Sequence, residues 1–217
     1  MFNDTALQHD VENELSWELS AGLSRISVAV KAGAIELAGH VDTFWEKCVA
    51  ERAAWRVVHV NHVTNAIRVV LPYNQQRGDD DIALGAMSSL EWNCMVPKSV
   101  EVQVADGLVT LSGSVERQEQ KEEAERALST LIGITGIRNN IVIQPSVSFA
   151  DVKAPIEAAL RRSALVDGSH IKVHVGHCVV SLRGTARSRS EYEEAMHAAW
   201  AAPGISKVED HITIGTV

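Results

Sequence analysis

Three side chains that metal ions favour lie close together near residue 175. His174, His177 and Cys178 fall within five consecutive residues, and imidazole and thiolate groups suit zinc or copper. If this segment forms a tight hairpin, the three side chains converge across its turn. They are therefore our candidate metal site. The alternative interpretation is a solvent-facing strand followed by a turn of variable sequence, which would hold no metal.

Two pairs of tryptophans form a second set of candidates. Trp55 and Trp200 each lie sixteen residues after the last glycine of a repeated hairpin, and Trp17 and Trp92 are equivalent positions two residues after a helix leucine. On a helical wheel Trp55 and Trp200 lie about 100° or more from the alanine-rich face, so we expect them to point away from their own sheet. Large apolar side chains that face outward often mark an interface. We favour another repeat or a second copy of this chain as the surface that covers these tryptophans. The alternatives are a protein partner, a lipid surface, or side chains that are simply exposed to solvent.

The sequence contains no recognisable catalytic constellation. It has no glycine-rich phosphate loop, no nucleophile elbow, and no Ser/His/Asp or Cys/His set on motif-like turns. Runs of acidic residues such as 79–81 are explained by a helix cap and a solvated helix face. We therefore predict a protein that is not an enzyme and that needs no cofactor.

The elements that would position these residues come from a unit repeated three times. Residues 100–113 read VEVQVADGLVTLSG, and residues 26–39 and 171–184 align with them without a gap. Apolar residues alternate with polar ones on both sides of a central dipeptide, which predicts a β-hairpin. In the second copy that dipeptide is Asp106-Gly107, which suits a type I′ turn.

A helix precedes each hairpin, and a second helix and a third strand follow it. The first helices have apolar residues at i, i+4 and i+8, namely Leu7, Val11 and Leu15; Ile82, Ala86 and Leu90; Val152, Ile156 and Leu160. The second helices are predicted at 43–58, 118–132 and 190–201, and small residues line their buried faces. The third strands are predicted at 66–71, 140–144 and 212–214.

This order predicts an α+β fold of three tandem α-β-β-α-β modules, each with two helices packed on a small three-stranded sheet. We place the modules at residues 1–72, 79–145 and 150–217. A module of about seventy residues is only marginally stable alone, so contacts between modules are expected to matter.

Charge excludes some classes of partner. The formal net charge is −8, whereas nucleic-acid binders depend on Lys and Arg contacts to phosphates, so we expect no nucleic acid partner. The same charge gives no electrostatic help toward an anionic membrane. No apolar stretch is long enough to cross a bilayer, and we expect no transmembrane segment.

The compartment is predicted from two features. Cys48, Cys94 and Cys178 are widely spaced, an arrangement that suits a reducing environment better than a disulfide framework. The first twenty residues have neither the basic segment nor the apolar segment of a signal peptide. We therefore expect a cytoplasmic protein.

The repeat resembles the BON domain, a bacterial module of osmotically inducible and secretin-associated proteins. The similarity rests on the hairpin pattern V-x-V-x-x-G-x-V-x-L-x-G-x-V, an alanine-rich helix, and then G-[VI]-x-x-[VI]-x-N-x-[IL]. Repeat two matches best, with VEVQVADGLVTLSGSV and GITGIRNNIVI. Repeat three has Cys178 in place of the turn glycine, and repeat one has His59 where the others have Gly133 and Gly204.

The resemblance implies a non-catalytic binding module. Members are associated with phospholipid surfaces, with other envelope proteins and, in one cytosolic context, with potassium ions. We accordingly predict a binding or scaffolding protein of stress or envelope physiology that acts through protein contacts or self-association. The alternatives are a small-ligand or cation sensor, for potassium or a divalent metal, and a phospholipid-surface binder, which the net charge does not favour.

Overall fold

A computed structural model describes residues 4–19, 25–145, 152–163, 170–176 and 178–215. Contacts divide the chain into two compact units. The first comprises Met1–Val115 and Glu119–Val142, and the second comprises Glu116–Gln118 and Ile143–Val217. The first unit thus holds repeat one and nearly all of repeat two.

Each repeat has the predicted order of helix, strand, strand, helix and strand. Repeat one consists of α1 Asp4–Glu18, β1 Ile26–Lys31, β2 Ala34–Val41, α2 Phe44–Arg56 and β3 His62–Val69. A single 3₁₀ turn, Tyr73–Gln75, precedes repeat two. Repeat two consists of α3 Asp79–Trp92, β4 Val100–Ala105, β5 Leu108–Val115, α4 Gln118–Leu128, β6 Gly136–Asn139 and β7 Val142–Ile143. Repeat three consists of α5 Lys153–Arg162, β8 Ile171–Gly176, β9 Val179–Ala186, α6 Arg189–Trp200 and β10 Lys207–Ile214.

The middle strand of each sheet is the second strand of the hairpin. It pairs antiparallel with the first strand and parallel with the third, so the sheet orders are β1-β2-β3, β4-β5-β6 and β8-β9-β10. In repeat two the short β7 also pairs with β5. The second helix makes the crossover that parallel pairing requires, and the fold is the predicted α+β arrangement.

The third strands begin earlier than the sequence predicted. In repeat one pairing begins at His62 rather than at residue 66, and in repeat three at Lys207 rather than at residue 212. The prediction followed apolar alternation, but the pairing starts beside the hairpin turn, where side chains such as His62 and Thr64 are polar. Backbone pairing extends through these residues because it does not require apolar side chains.

The core of each repeat lies between one sheet face and the two helices. The predicted stripes of the first helices are all buried, and so are two residues four apart on each second helix: Ala50 and Ala54, Ala124 and Leu128, Ala195 and Ala199. From the middle strands the core receives Ile35 and Leu37, Val109 and Leu111, and Val180 and Leu182. The small helix residues let the second helix lie close to its sheet.

The last glycine of each hairpin is required by backbone contact. Gly39, Gly113 and Gly184 have φ of 120°, 110° and 143°, a region that disfavours any residue with a Cβ. A Cβ there would overlap a backbone carbonyl oxygen of the residue that precedes the first strand, on Arg25, Ser99 or His170 respectively. The repeated glycine therefore allows the middle strand to pass close to the start of its partner.

The hairpin turns have left-handed residues at the positions the sequence predicted. Ala32-Gly33 and Asp106-Gly107 all have positive φ, as a type I′ turn requires. In repeat three Cys178 has φ 65° at the position that glycine occupies in the other two turns. A non-glycine residue in this region is strained by roughly 1–2 kcal/mol, so repeat three has a less favourable turn.

One polar side chain ties the third strand to the second helix in every repeat. The amide of Asn65 donates to the Lys47 carbonyl (3.2 Å) and to Glu51 (3.0 Å), and its oxygen accepts from the N–H of Ile67 (3.2 Å). Asn139 makes the same three bonds in repeat two, to Lys121 (3.0 Å), to Glu125 (3.1 Å) and from Ile141 (3.3 Å). The polar bridge fixes how the helix lies across the strand.

Repeat three keeps this bridge but reverses its donor and acceptor. Asp210 replaces the asparagine and accepts from the hydroxyl of Tyr192 (2.8 Å) as well as from the N–H of Ile212 (2.9 Å). Tyr192 occupies the position of the lysine, and Met196 occupies the position of the glutamate. The three substitutions are mutually consistent, because a carboxylate needs a donor where the asparagine amide needed an acceptor.

Candidate interaction surfaces

Trp17 and Trp92 are exposed at equivalent positions of repeats one and two. Their exposed fractions are 84% and 88%, and both lie at the C-terminal ends of the first helices, α1 and α3. The apolar stripes of those helices are buried beneath them, so the indoles extend from the opposite side. The corresponding residue of repeat three is Arg162, and the aromatic surface belongs to repeats one and two.

Polar contacts hold both of these helix ends in place. Arg56 on α2 binds Glu14 (2.9 Å) and Glu18 (2.6 Å) on either side of Trp17. After Trp92, the amide of Asn93 donates to Glu123 on α4 (3.0 Å). Each indole is therefore carried on a helix end that is fixed to its neighbouring helix.

Trp55 and Trp200 are in a different environment. Both are half-buried and pack partly against the core of their own repeat. The equivalent residue of repeat two is Ser129, whose hydroxyl donates to the carbonyl of Arg126 (2.8 Å). An interface at Trp55 and Trp200 stays a prediction, and the more exposed pair offers more indole surface to a partner.

The sequence reasoning missed an apolar groove between repeats one and two. It has a volume of about 280 Å³ and lies where the start of α2 meets the segment after α4. Trp45 and Ile132, exposed by 43% and 55%, stand at its rim. The groove is lined by Thr43, Phe44, Trp45, Leu71, Gln75 and residues 129–134.

A signal for this groove was present in the repeat alignment. Phe44 and Trp45 open the second helix of repeat one, where repeats two and three have Gln-Glu and Arg-Ser. Because these two positions are polar in the other repeats, large apolar residues there indicate a contact that is specific to repeat one. The helix itself begins at a capping box of Thr43 and Glu46.

The candidate metal residues are only partly described. His174 lies on β8 and is exposed, Cys178 lies in the turn and is half-buried, and His177 lies outside the described residues. Among the described residues, no group of three or more His, Cys, Asp or Glu side chains is arranged to hold a metal ion. The site that includes His177 stays a prediction.

The cysteines of the first two repeats differ in environment. Burial raises the pKa of the Cys48 thiol to about 11, and the neighbouring carboxylates of Glu51 and Glu125 add to the effect. Cys94 is exposed in the loop after α3. Because the thiolate is the reactive form, this raised pKa makes Cys48 a poor nucleophile near neutral pH.

Within the described residues, no helix is both long and apolar enough to cross a membrane. The helices are short and carry charges along their exposed faces.

Comparison with known proteins finds a related sequence and several solved structures. The chain is 29% identical over 122 residues to osmotically-inducible protein Y of Escherichia coli (strain K12), a match that covers 52% of this chain and 60% of that relative. CdsD, a structural protein of the type III secretion system of Chlamydia trachomatis, is 16% identical with a TM-score of 0.27, covering 98% of this chain and 93% of that one. The periplasmic domain of PrgH from S. typhimurium is 14% identical with a TM-score of 0.23, covering 93% and 100%. TM-scores this low give no evidence of a shared arrangement.

The family assignment rests on the sequence of the repeats. The family model of the BON domain matches three segments, residues 3–70, 78–145 and 150–216, which together make up most of the chain. Each segment contains one copy of the hairpin, its close-contact glycine and the polar bridge to the second helix. The chain belongs to the BON-domain family and carries three tandem copies of the domain.

Proposed function

We propose that this protein is a non-enzymatic binding protein that acts in osmotic or related stress by holding a protein partner on the aromatic surface of repeats one and two. The observation that carries the proposal is the pair of equivalent indoles, Trp17 and Trp92, exposed by 84% and 88%. Exposed tryptophans at fixed positions are costly in water and are enriched at the centres of protein interfaces.

The stress-related role is supported by the relative that is named for osmotic induction. That protein shares 29% identity with this chain, and the chain spans 60% of its length. The shared family, rather than a shared site, links the two proteins.

Site-specific photo-crosslinking tests the proposal. A photoreactive phenylalanine analogue replaces Trp17 or Trp92, and cells of the source organism are irradiated before and after an osmotic upshift. Tyr73 is the matched control, because it is an aromatic residue exposed by 91% in the segment between repeats. We expect protein adducts at positions 17 and 92 that increase under stress, and none at position 73.

Two outcomes would overturn the proposal. Equal adducts at all three positions would mean that the indoles are merely exposed. Adducts with lipid alone would favour the phospholipid-surface alternative. The Trp17→Ala/Trp92→Ala protein should keep the wild-type melting temperature, because side chains this exposed contribute little to stability. If the partner identified by crosslinking no longer co-purifies with this variant, the loss reports binding rather than folding.

A further inference from the structure

The outer face of the repeat-three sheet carries a row of basic side chains. Arg183 on the middle strand pairs with Lys172 on one side and with His211 on the other. Neighbouring strands lie about 4.8 Å apart and paired side chains point to the same face. All three are exposed, so three groups that carry or accept positive charge stand side by side on an open sheet.

The surroundings of this row are polar and mostly basic. Lys207 lies on the same face and donates to Glu209 (2.8 Å), and this contact lowers the pKa of Glu209, with His211 and Arg183 adding to the effect. Among the described residues of this face Glu209 is the one carboxylate, and a lysine already engages it. Two threonine hydroxyls, on Thr185 and Thr213, flank the row on the other side and lie 3.5 Å apart.

The other two repeats lack this row. At the same sheet positions repeat one has Ser27, Ala38 and Ala66. Repeat two has Glu101 paired with Ser112. The basic row is therefore a specific feature of repeat three and not a requirement of the fold.

Charge is distributed unevenly along the chain. Residues 78–145, which form repeat two, contain eleven acidic and five basic residues and have a net charge of −6, whereas residues 150–216 contain eight of each. Three of the eight basic residues of repeat three, Lys172, Arg183 and Lys207, lie on one open sheet face, while most of the acidic surplus of the chain lies in repeat two. The chain thus supplies both a basic surface and its electrostatic complement.

We propose that the outer sheet face of repeat three is a docking surface for the acidic second repeat of another copy of this chain. Complementary charges steer such an encounter and fix its register. Because the two surfaces are different, the contact is heterologous, and successive copies join head to tail into rings or open chains. This self-association is independent of the tryptophan surface and goes beyond the proposed function.

Sedimentation velocity over a range of protein concentrations tests the assembly. We expect wild-type protein to associate at about 0.1 M salt and to dissociate at about 0.5 M, where charge interactions are screened over a few ångströms. Lys172→Glu/Arg183→Glu should weaken association roughly tenfold or more, because it places like charges opposite each other. The control, Lys31→Glu/Arg68→Glu, makes the same change in net charge at exposed positions of repeat one, outside both proposed docking surfaces, and should associate as wild type does.

Zero-length crosslinking between lysine and carboxylate groups tests the partner surface. An equal mixture of ¹⁴N and ¹⁵N protein separates links between copies from links within one copy. We expect mixed-isotope links from Lys172 or Lys207 to acidic residues of 78–145. The proposal would be overturned if the protein stayed monomeric at every salt concentration or if crosslinks formed only within one copy. It would also be overturned if the control variant lost association as much as Lys172→Glu/Arg183→Glu does. Trp17→Ala/Trp92→Ala should assemble normally, which separates this proposal from the proposed function.

Discussion

Replacing Asn139 by aspartate should destabilise repeat two far more than replacing Asp210 by asparagine destabilises repeat three. The amide of Asn139 donates to two acceptors, the Lys121 carbonyl and the Glu125 carboxylate. Aspartate has the same shape but no donor, so it would face both acceptors with a negative charge. Asp210 accepts from Ile212 and from Tyr192 through different oxygens. Asparagine can keep both contacts, because its amide oxygen accepts from the Ile212 N–H while its NH2 donates to the Tyr192 hydroxyl oxygen.

The magnitude follows from the bonds lost and the repulsion gained. The two hydrogen bonds that Asn139 donates contribute about 0.5–1.5 kcal/mol each, or about 1–3 kcal/mol together, and Asn139→Ala also loses the bond accepted from Ile141. Asn139→Asp adds repulsion between two carboxylates about 4 Å apart, up to about 4 kcal/mol at an effective dielectric constant of 20. Glu125 is exposed and can rotate away, so we expect a total of about 2–4 kcal/mol, against less than about 1 kcal/mol for Asp210→Asn.

Native-state hydrogen exchange is the appropriate assay, because a chain of three repeats need not unfold in one step. Peptides covering α4 and β6 report the stability of repeat two, and peptides covering α6 and β10 report that of repeat three. Each variant should lose protection only in its own repeat. The equivalent variant Asn65→Asp, which has the same contacts in repeat one, should behave as Asn139→Asp does.

The pH dependence provides a second readout for Asn139→Asp. A new carboxylate beside Glu125 is more easily protonated in the folded state than in the unfolded chain, which raises its folded-state pKa. The destabilisation is then present at neutral pH and decreases as the pH falls through about 5 to 4, where a proton shared by the pair restores a donor. A cost for Asn139→Asp that is no larger than that for Asp210→Asn, or no recovery in acid, would refute the argument.

Three further predictions concern single side chains. Cys178→Gly should stabilise repeat three by about 0.5–1 kcal/mol in the same exchange assay, because the turn has positive φ there. Gly107→Cys should destabilise repeat two for the same reason. No change in either variant would mean that the turn is not strained. Burial raises the pKa of Tyr192 to about 12, and its hydrogen bond to Asp210 adds to the effect. The stability from this contact is therefore present below about pH 10 and is lost as the pH rises toward 12. In an ultraviolet titration, this late ionisation should be absent from Tyr192→Phe. Iodoacetamide should label Cys94 before Cys48 at about pH 8, as followed by mass spectrometry, and the opposite order would contradict the buried thiol.

The sequence was enough to predict the fold because the spacing of apolar residues identifies each helix and each strand. The stripe of Leu7, Val11 and Leu15 specifies a helix with one buried face, and all three are buried. Alternation around Asp106-Gly107 specifies a hairpin, and the strands pair as expected. Three copies in phase made each assignment support the others.

The surfaces were harder to predict because periodicity describes which residues are buried together and not what lies beside them. Trp45 was overlooked since its neighbours in the groove, such as Leu71 and Ile132, come from the segment after β3 and from repeat two. The basic row of repeat three was overlooked for the same reason: Lys172, Arg183 and His211 are far apart in sequence and become neighbours only through strand pairing.

Comparison among the repeats shows which substitutions are structural and which demand another explanation. Asp210 of repeat three stands where repeat two has Asn139. Tyr192 restores the polar bridge inside repeat three, so this difference requires no outside partner. The change from Glu101 and Ser112 of repeat two to Lys172 and Arg183 of repeat three is compensated only in part within its own sheet face, by Glu209, which Lys207 already engages. Neighbouring positive charges repel one another at a cost to stability, and a negative surface docked on the face would offset that cost.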